Sequence, residues 1–135
     1  MNSDLSPTIL LVEEDNQVRP ILSQNLRNHG FQVIVALNEA DAIDLTRGSS
    51  LCPVLILLNQ VRQSIQEHVV SGQRIRQRAN LDSQTPIVVI AEHYGADMEG
   101  KNIQLSDTEY VTYLEDGRQL MDLLHRLRPL HSPQD

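Results

Sequence analysis

Three short, unbroken aliphatic runs constrain this chain more than any other feature: Ile9-Leu10-Leu11-Val12, Val54-Leu55-Ile56-Leu57-Leu58 and Ile87-Val88-Val89-Ile90. A strand wetted on one face alternates apolar and polar residues. A run of this length without alternation is too short for a buried helix and suits a strand covered on both faces, as in a parallel sheet. Phe31 to Val35 forms a further run, and Tyr110-Val111-Thr112-Tyr113 a fifth. The fifth is β-prone but more polar, which predicts an edge strand, and the Val54 run, the most hydrophobic, is predicted to be central.

The intervals carry helical signals. Asn16 is placed to cap a helix with Val18, Ile21, Leu22 and Leu26 on one stripe; Pro20 falls in its first turn and Gly30 ends it. Asn38 with Asp41 resembles a capping pair opening a short helix through Ala42, Ile43 and Leu45 to Gly48. The stretch from Gln60 to Val70 is polar and lacks periodicity, so the next helix is predicted from about Ser71 to Ala79. Between Gly95 and Thr108, two glycines and scattered Met98, Ile103 and Leu105 predict a short, distorted or missing helix. The last helix runs from near Asp116 through Leu120, Met121, Leu123, Leu124 and Leu127, and Pro129 stops it.

A length of 135 residues is enough for one core, and with only 3% aromatic residues that core must be built from Leu, Ile and Val. Residues 1–8 read as an N-terminal extension, 9–128 as the domain, and 129–135 as a polar tail or the start of a linker. A net charge of -7 argues against nucleic-acid binding by this domain, because phosphate backbones require a basic footprint. No segment has the ~20 apolar residues of a membrane span or the pattern of a secretion signal, and the expected location is the cytoplasm. The lone cysteine, Cys52, is expected to be a small buried residue. The histidines show no metal-ligand spacing, and Arg62, Arg74, Arg76 and Arg78 concentrate positive charge on what reads as a solvated helix face, with an acidic protein partner as the sharper reading.

Strand–helix alternation of this kind makes a doubly wound sheet, in which chemistry gathers beyond the carboxyl ends of the strands. Those ends are Glu13-Glu14-Asp15, Asn59, Ala91-Glu92 and Tyr113-Leu114. The segments Leu10 to Arg19, Pro53 to Asn59, Thr85 to Ala91 and Glu109 to Tyr113 together resemble the response-regulator receiver domains of two-component signalling, over roughly residues 8 to 128. The resemblance implies a flavodoxin-like (βα)5 fold with strand order 2-1-3-4-5. It also implies a phosphoryl-accepting aspartate, an acidic pair for Mg²⁺, a hydroxyl and a lysine.

The departures fall on the reactive positions. Glu13 and Glu14 match the acidic pair, but Asn59 matches the acceptor, Ala91 the hydroxyl residue and Tyr113 the lysine. An amide is a poor nucleophile and lacks the charge that draws in Mg²⁺. The loop from Asn59 to Gly72 also looks longer than usual for the family, and its Met-Pro is absent. The expectation is an atypical receiver that works without phosphorylation: not an enzyme, with no cofactor, and at most a weak divalent ion at Glu13 and Glu14. Such a module acts through a protein partner (a regulator, kinase or output domain, as in a bacterial transcription regulator) or as a homodimer. By resemblance, the contact face is the fourth helix, fifth strand and fifth helix. Tyr110 matches the family's switch aromatic, and Arg74 and Arg78 are the candidate contact cations. The alternative expectation is a sensor that binds a small apolar or redox ligand near Asn59, Ala91 and Tyr113.

Overall fold

The computed structural model describes residues 6–59 and 63–127. The strands are β1 (Thr8–Val12), β2 (Gln32–Ala36), β3 (Pro53–Asn59), β4 (Ile87–Ile90), β5 (Asn102–Gln104) and β6 (Glu109–Thr112). The helices are α1 (Val18–Asn28), α2 (Glu39–Arg47), α3 (Ile65–Arg78) and α4 (Gly117–Leu127). They form one sheet of order β2-β1-β3-β4-β6-β5, parallel throughout except for β5, which runs antiparallel to β6. This is the flavodoxin-like arrangement anticipated, with the fifth parallel strand now β6.

The unbroken runs are buried on both faces. Leu10, Val12, Ile56, Leu58, Ile87 and Val89 face α2 and α3, together with Val69 and Ile75. Ile9, Leu11, Leu55, Leu57, Val88 and Ile90 face α1 and α4, meeting Leu26, Leu123 and Leu124. Adjacent residues of each strand thus serve opposite layers, which is why no polar position interrupts them. Helix α3 lies so close to the sheet that a Cβ at Gly72 would sit 2.7 Å from Ile87 Cγ2 and 3.1 Å from Leu58 Cδ1.

Between β4 and β6 the helix is missing among the described residues, one of the outcomes expected, and the segment turns back as β5. Several other expectations are corrected. The fifth strand of the sequence reading, β6, is an inner strand, and the edge falls on β5. The reason for the missing helix lies in Gly100, held at φ +87, followed by Asn102 and the β-branched Ile103, residues poor for helix. Three backbone bonds register the hairpin: Gly100 N–H to the Tyr113 carbonyl (2.7 Å), Tyr113 N–H to Lys101 (2.8 Å) and Leu105 N–H to Glu109 (2.7 Å). Gln119 of α4 clasps it, its amide reaching Asn102 Oδ1 (2.9 Å) and the Oγ1 of buried Thr112 (3.2 Å).

Helix α3 begins six residues earlier than expected, because Ser64 and Glu67 form a reciprocal capping box. The loop after β3 is correspondingly shorter. Asn16 does not cap α1: its N-cap is Gln17, without a side-chain cap bond, and Asp15 Oδ1 accepts the N–H groups of Gln17 (2.7 Å) and Val18 (3.2 Å) in the turn leading into it. Ile21 is exposed, and buried Ser23 takes the inward position beside Leu26. Cys52 is exposed, because β3 begins only at Pro53 and leaves it in the preceding loop. The Asn38–Asp41 cap is present, with Asn38 Oδ1 accepting the Asp41 N–H at 2.9 Å. Val61, Arg62, Pro129, His131 and the tail lie outside the described residues.

Two substitutions check this packing. Gly72→Ala is expected to destabilise by about 1–3 kcal/mol through overpacking. By contrast, Gly117→Ala, whose added Cβ meets nothing within 4 Å, should be neutral or slightly stabilising in the same urea titration. Gln119→Leu is expected to cost about 1–3 kcal/mol by stranding the polar atoms it clasps.

Candidate functional site

The strand register assembles the carboxyl edge. Val12 lies opposite Leu58, Asn59 opposite Ile90, and Ile90 opposite Thr112, so Glu13, Asn59, Ala91 and Tyr113 follow one another across four strands. Arg19 ties the β1–α1 turn in place, its Nη1 donating to the Glu13 carbonyl at 2.9 Å.

The central contact is between Glu13 and Asn59, 1% and 8% exposed. Asn59 Nδ2 donates to Glu13 Oε1 at 2.6 Å, and Glu13 Oε2 accepts the Asp15 N–H at 3.1 Å. Burial pushes the Glu13 carboxyl above its ordinary range; the Asn59 and Asp15 hydrogen bonds partly offset this, and the nearby charges of Asp15 and Glu92 add to it. Asn59 Oδ1 is buried without a hydrogen-bond partner among the described residues. The two acidic residues differ sharply, since Glu14 is exposed at the rim.

The other predicted residues have diverse surroundings. Ala91 is buried in the α2–α3 layer, and Tyr113 packs against that layer half-exposed, its ring edge-on to Tyr94 with centroids 5.4 Å apart. Tyr110 is half-buried against the α1–α4 layer. Arg74 and Arg78 are not brought to the edge cluster. Arg74 grips Glu39 with two parallel bonds of 2.7 Å, which hold the Glu39 carboxyl below its usual range, and Arg78 is exposed farther along α3. Arg76 is also spoken for, donating to the Thr85 carbonyl at 3.0 Å.

A cavity of about 370 Å³ opens at this edge, on the flank between β1, β3, α2 and α3. Its lining includes Glu14, Asn38, Glu39, Asn59, His68 and Ser71 but neither Ala91 nor Tyr113. It therefore shares only Asn59 with the pocket expected from the sequence. His68 Nε2 is buried there without a hydrogen-bond partner among the described residues. Burial holds the His68 ring below its ordinary pKa, against the opposing pull of Glu14, Glu67 and Glu92. His68 is the residue that the sequence reading missed. Ser64-Ile65-Gln66-Glu67 has the spacing of a capping box, and that signal would have started α3 early enough to carry His68 in its first turns. Among the described residues, no group of three or more His, Cys, Asp and Glu is arranged to hold a metal ion.

The Glu13 environment has a pH signature. Its folded pKa is raised, so the folded state holds a proton more tightly than the unfolded chain, and the group's contribution to stability falls as pH rises through its unfolded value toward neutrality. Glu13→Gln keeps an acceptor for Asn59 and removes the buried charge, while losing the acceptor that Oε2 offers the Asp15 N–H. It is expected to raise the melting temperature by a few degrees at pH 7 and to give no advantage near pH 4.

No protein-family model matches the chain, and no curated protein matches it. Solved structures do. A chemotaxis protein CheY4 from Vibrio cholerae is 17% identical with a TM-score of 0.64, over 90% of this chain and 98% of that one. A response regulator from Thermotoga maritima is 21% identical at 0.63, over 90% and 97%. A response regulator receiver protein from Sinorhizobium medicae is 19% identical at 0.63, over 90% and 94%. At these identities the likeness is one of architecture: the chain has the fold of the response-regulator receiver domains.

Proposed function

We propose that this chain is a receiver-type signalling module that works without aspartyl phosphorylation. The observation that carries the reading is the 2.6 Å hydrogen bond from Asn59 Nδ2 to Glu13 Oε1. At the position where a receiver presents a nucleophilic carboxylate, this chain presents an amide, and that amide donates to the residue that would otherwise help hold the metal. The interaction gives Glu13 an internal hydrogen-bond donor where a second carboxylate would repel it. Ala91 offers no hydroxyl and Tyr113 no ammonium group, so the supports of phosphoryl transfer are missing together.

A module of this kind transmits through protein contacts, with a kinase, a regulator, an output domain of a longer transcription regulator, or a second copy of itself. The surface that a receiver would build from its fourth helix is here the β5–β6 ribbon beside α4, with Tyr94 and Leu105 exposed. Tyr110, anchored against the α1–α4 layer, supports a face that does not depend on a phosphate-triggered rotation. Arg74 is already committed to Glu39, which leaves Arg78 the freer contact cation.

The alternative of a sensor for a small apolar or redox ligand gains less support. Neither Ala91 nor Tyr113 lines the cavity, and its lining is rich in carboxylate, amide, imidazole and hydroxyl groups.

Incubation with acetyl phosphate and Mg²⁺ should leave the intact mass unchanged. Asn59→Asp alone should remain at least about a hundredfold slower to label than a receiver with its full site, because hydroxyl and lysine are still absent. Stable phosphorylation of the unaltered protein within the carboxyl edge would overturn the reading.

A further inference from the structure

Two buried polar atoms at the carboxyl edge lack partners among the described residues, and both belong to residues that line one cavity. Asn59, 8% exposed, spends its amide N–H on Glu13 and keeps Oδ1 as an acceptor. His68 carries Nε2, an acceptor when the neutral ring has its proton on Nδ1. Native structures satisfy nearly all such groups, through the protein, water or a ligand.

The charges that act on His68 are all carboxylates, and Arg74 beside the cavity is paired with Glu39. Glu14 lines the cavity and makes no ion pair among the described residues, and Glu67 and Glu92 also act on His68. No lysine or arginine is among the described lining residues. An anion would face the Glu14 and Glu39 carboxylates and both acceptors, with only neutral amide, hydroxyl and imidazole groups to donate to it among the described lining residues. A cation rich in N–H donors would meet complementary groups. The wall supplies its own precedent, because Glu39 already takes a guanidinium, that of Arg74, in a parallel two-bond grip.

We propose that the cavity between the carboxyl ends of β1 and β3 and helices α2 and α3 binds a guanidinium group. Its planar fork of five N–H donors can address Asn59 Oδ1, His68 Nε2 and the Glu14 carboxylate together, which the compact ammonium group is less suited to do. The head group can belong to a free small molecule or to an arginine side chain offered by a protein. The inference rests on Asn59 remaining an unmodified amide, and the intact mass of the same sample tests that separately.

The test is an NMR titration of the isotopically labelled 135-residue chain with methylguanidinium chloride. Parallel titrations use methylammonium chloride, sodium phosphate and the peptide acetyl-Gly-Arg-Gly-amide, all at constant ionic strength. Saturable shifts at the Asn59 side-chain amide and the His68 ring are expected with a guanidinium probe. Methylammonium should bind at least about tenfold more weakly, and phosphate should leave these signals unmoved. Glu14→Gln, an exposed substitution that should fold normally, and His68→Phe should each weaken binding about tenfold. Saturation by methylguanidinium alone assigns a small-molecule source, and saturation by the arginine peptide assigns a protein source. Shifts linear in concentration, an equal response to methylammonium, or affinity unchanged in Glu14→Gln would overturn the proposal. A phosphorylated mass with guanidinium binding intact would sink the phosphorylation-independent reading instead.

Discussion

Everything in this fold follows from a sheet whose central strands must be covered on both faces. Parallel strands β1, β3 and β4 bury nearly every side chain they carry, so polar chemistry has nowhere to go but beyond their ends. The polar residues Glu13 and Asn59 stand at the first step out of that apolar layer. They are close enough to the core to be buried, and their mutual hydrogen bond is what makes the burial tolerable. The same geometry explains why Glu14, one residue further along, is exposed at the rim.

The fold does not depend on reactive groups at this edge, because the two apolar layers carry stability independently of it. A hydrogen-bonded amide beside a carboxylate is also gentler than two crowded carboxylates, whose repulsion would otherwise need a cation to offset it. The hydrogen bond between Asn59 and Glu13 thus satisfies this part of the carboxyl edge from within the chain. The cavity beside it is built from the next turn outward, by α2 and α3.

Much of this was legible in the sequence, and the limits have physical causes. The aliphatic runs marked the strands and their parallel pairing, since unbroken burial leaves a clear pattern, while the strand order came from the family resemblance. The positions of Glu13, Asn59, Ala91 and Tyr113 at one edge followed from those runs alone. Helix starts were less legible where capping outweighed periodicity: Ser64 and Glu67 begin α3 within a stretch that has little apolar rhythm. The cavity was not legible at all, because His68 and Glu39 sit on different helices and meet only through tertiary packing. The missing fourth helix was foreseen as a weakness, but its replacement by β5 was not. That outcome depends on Gln119, a residue of the following helix that satisfies the hairpin's polar atoms.

The hairpin has a consequence for solubility. With β5 laid beside β6, the sheet's free row of backbone donors and acceptors on this side is moved to Asn102–Gln104, only three residues long. A longer flat border would be a template for neighbouring chains to extend the sheet; one this brief, with an exposed lysine just before it and amide side chains along it, is a poor one. The segment that gave up a helix thereby acts as a selvedge, closing the weave against unplanned pairing.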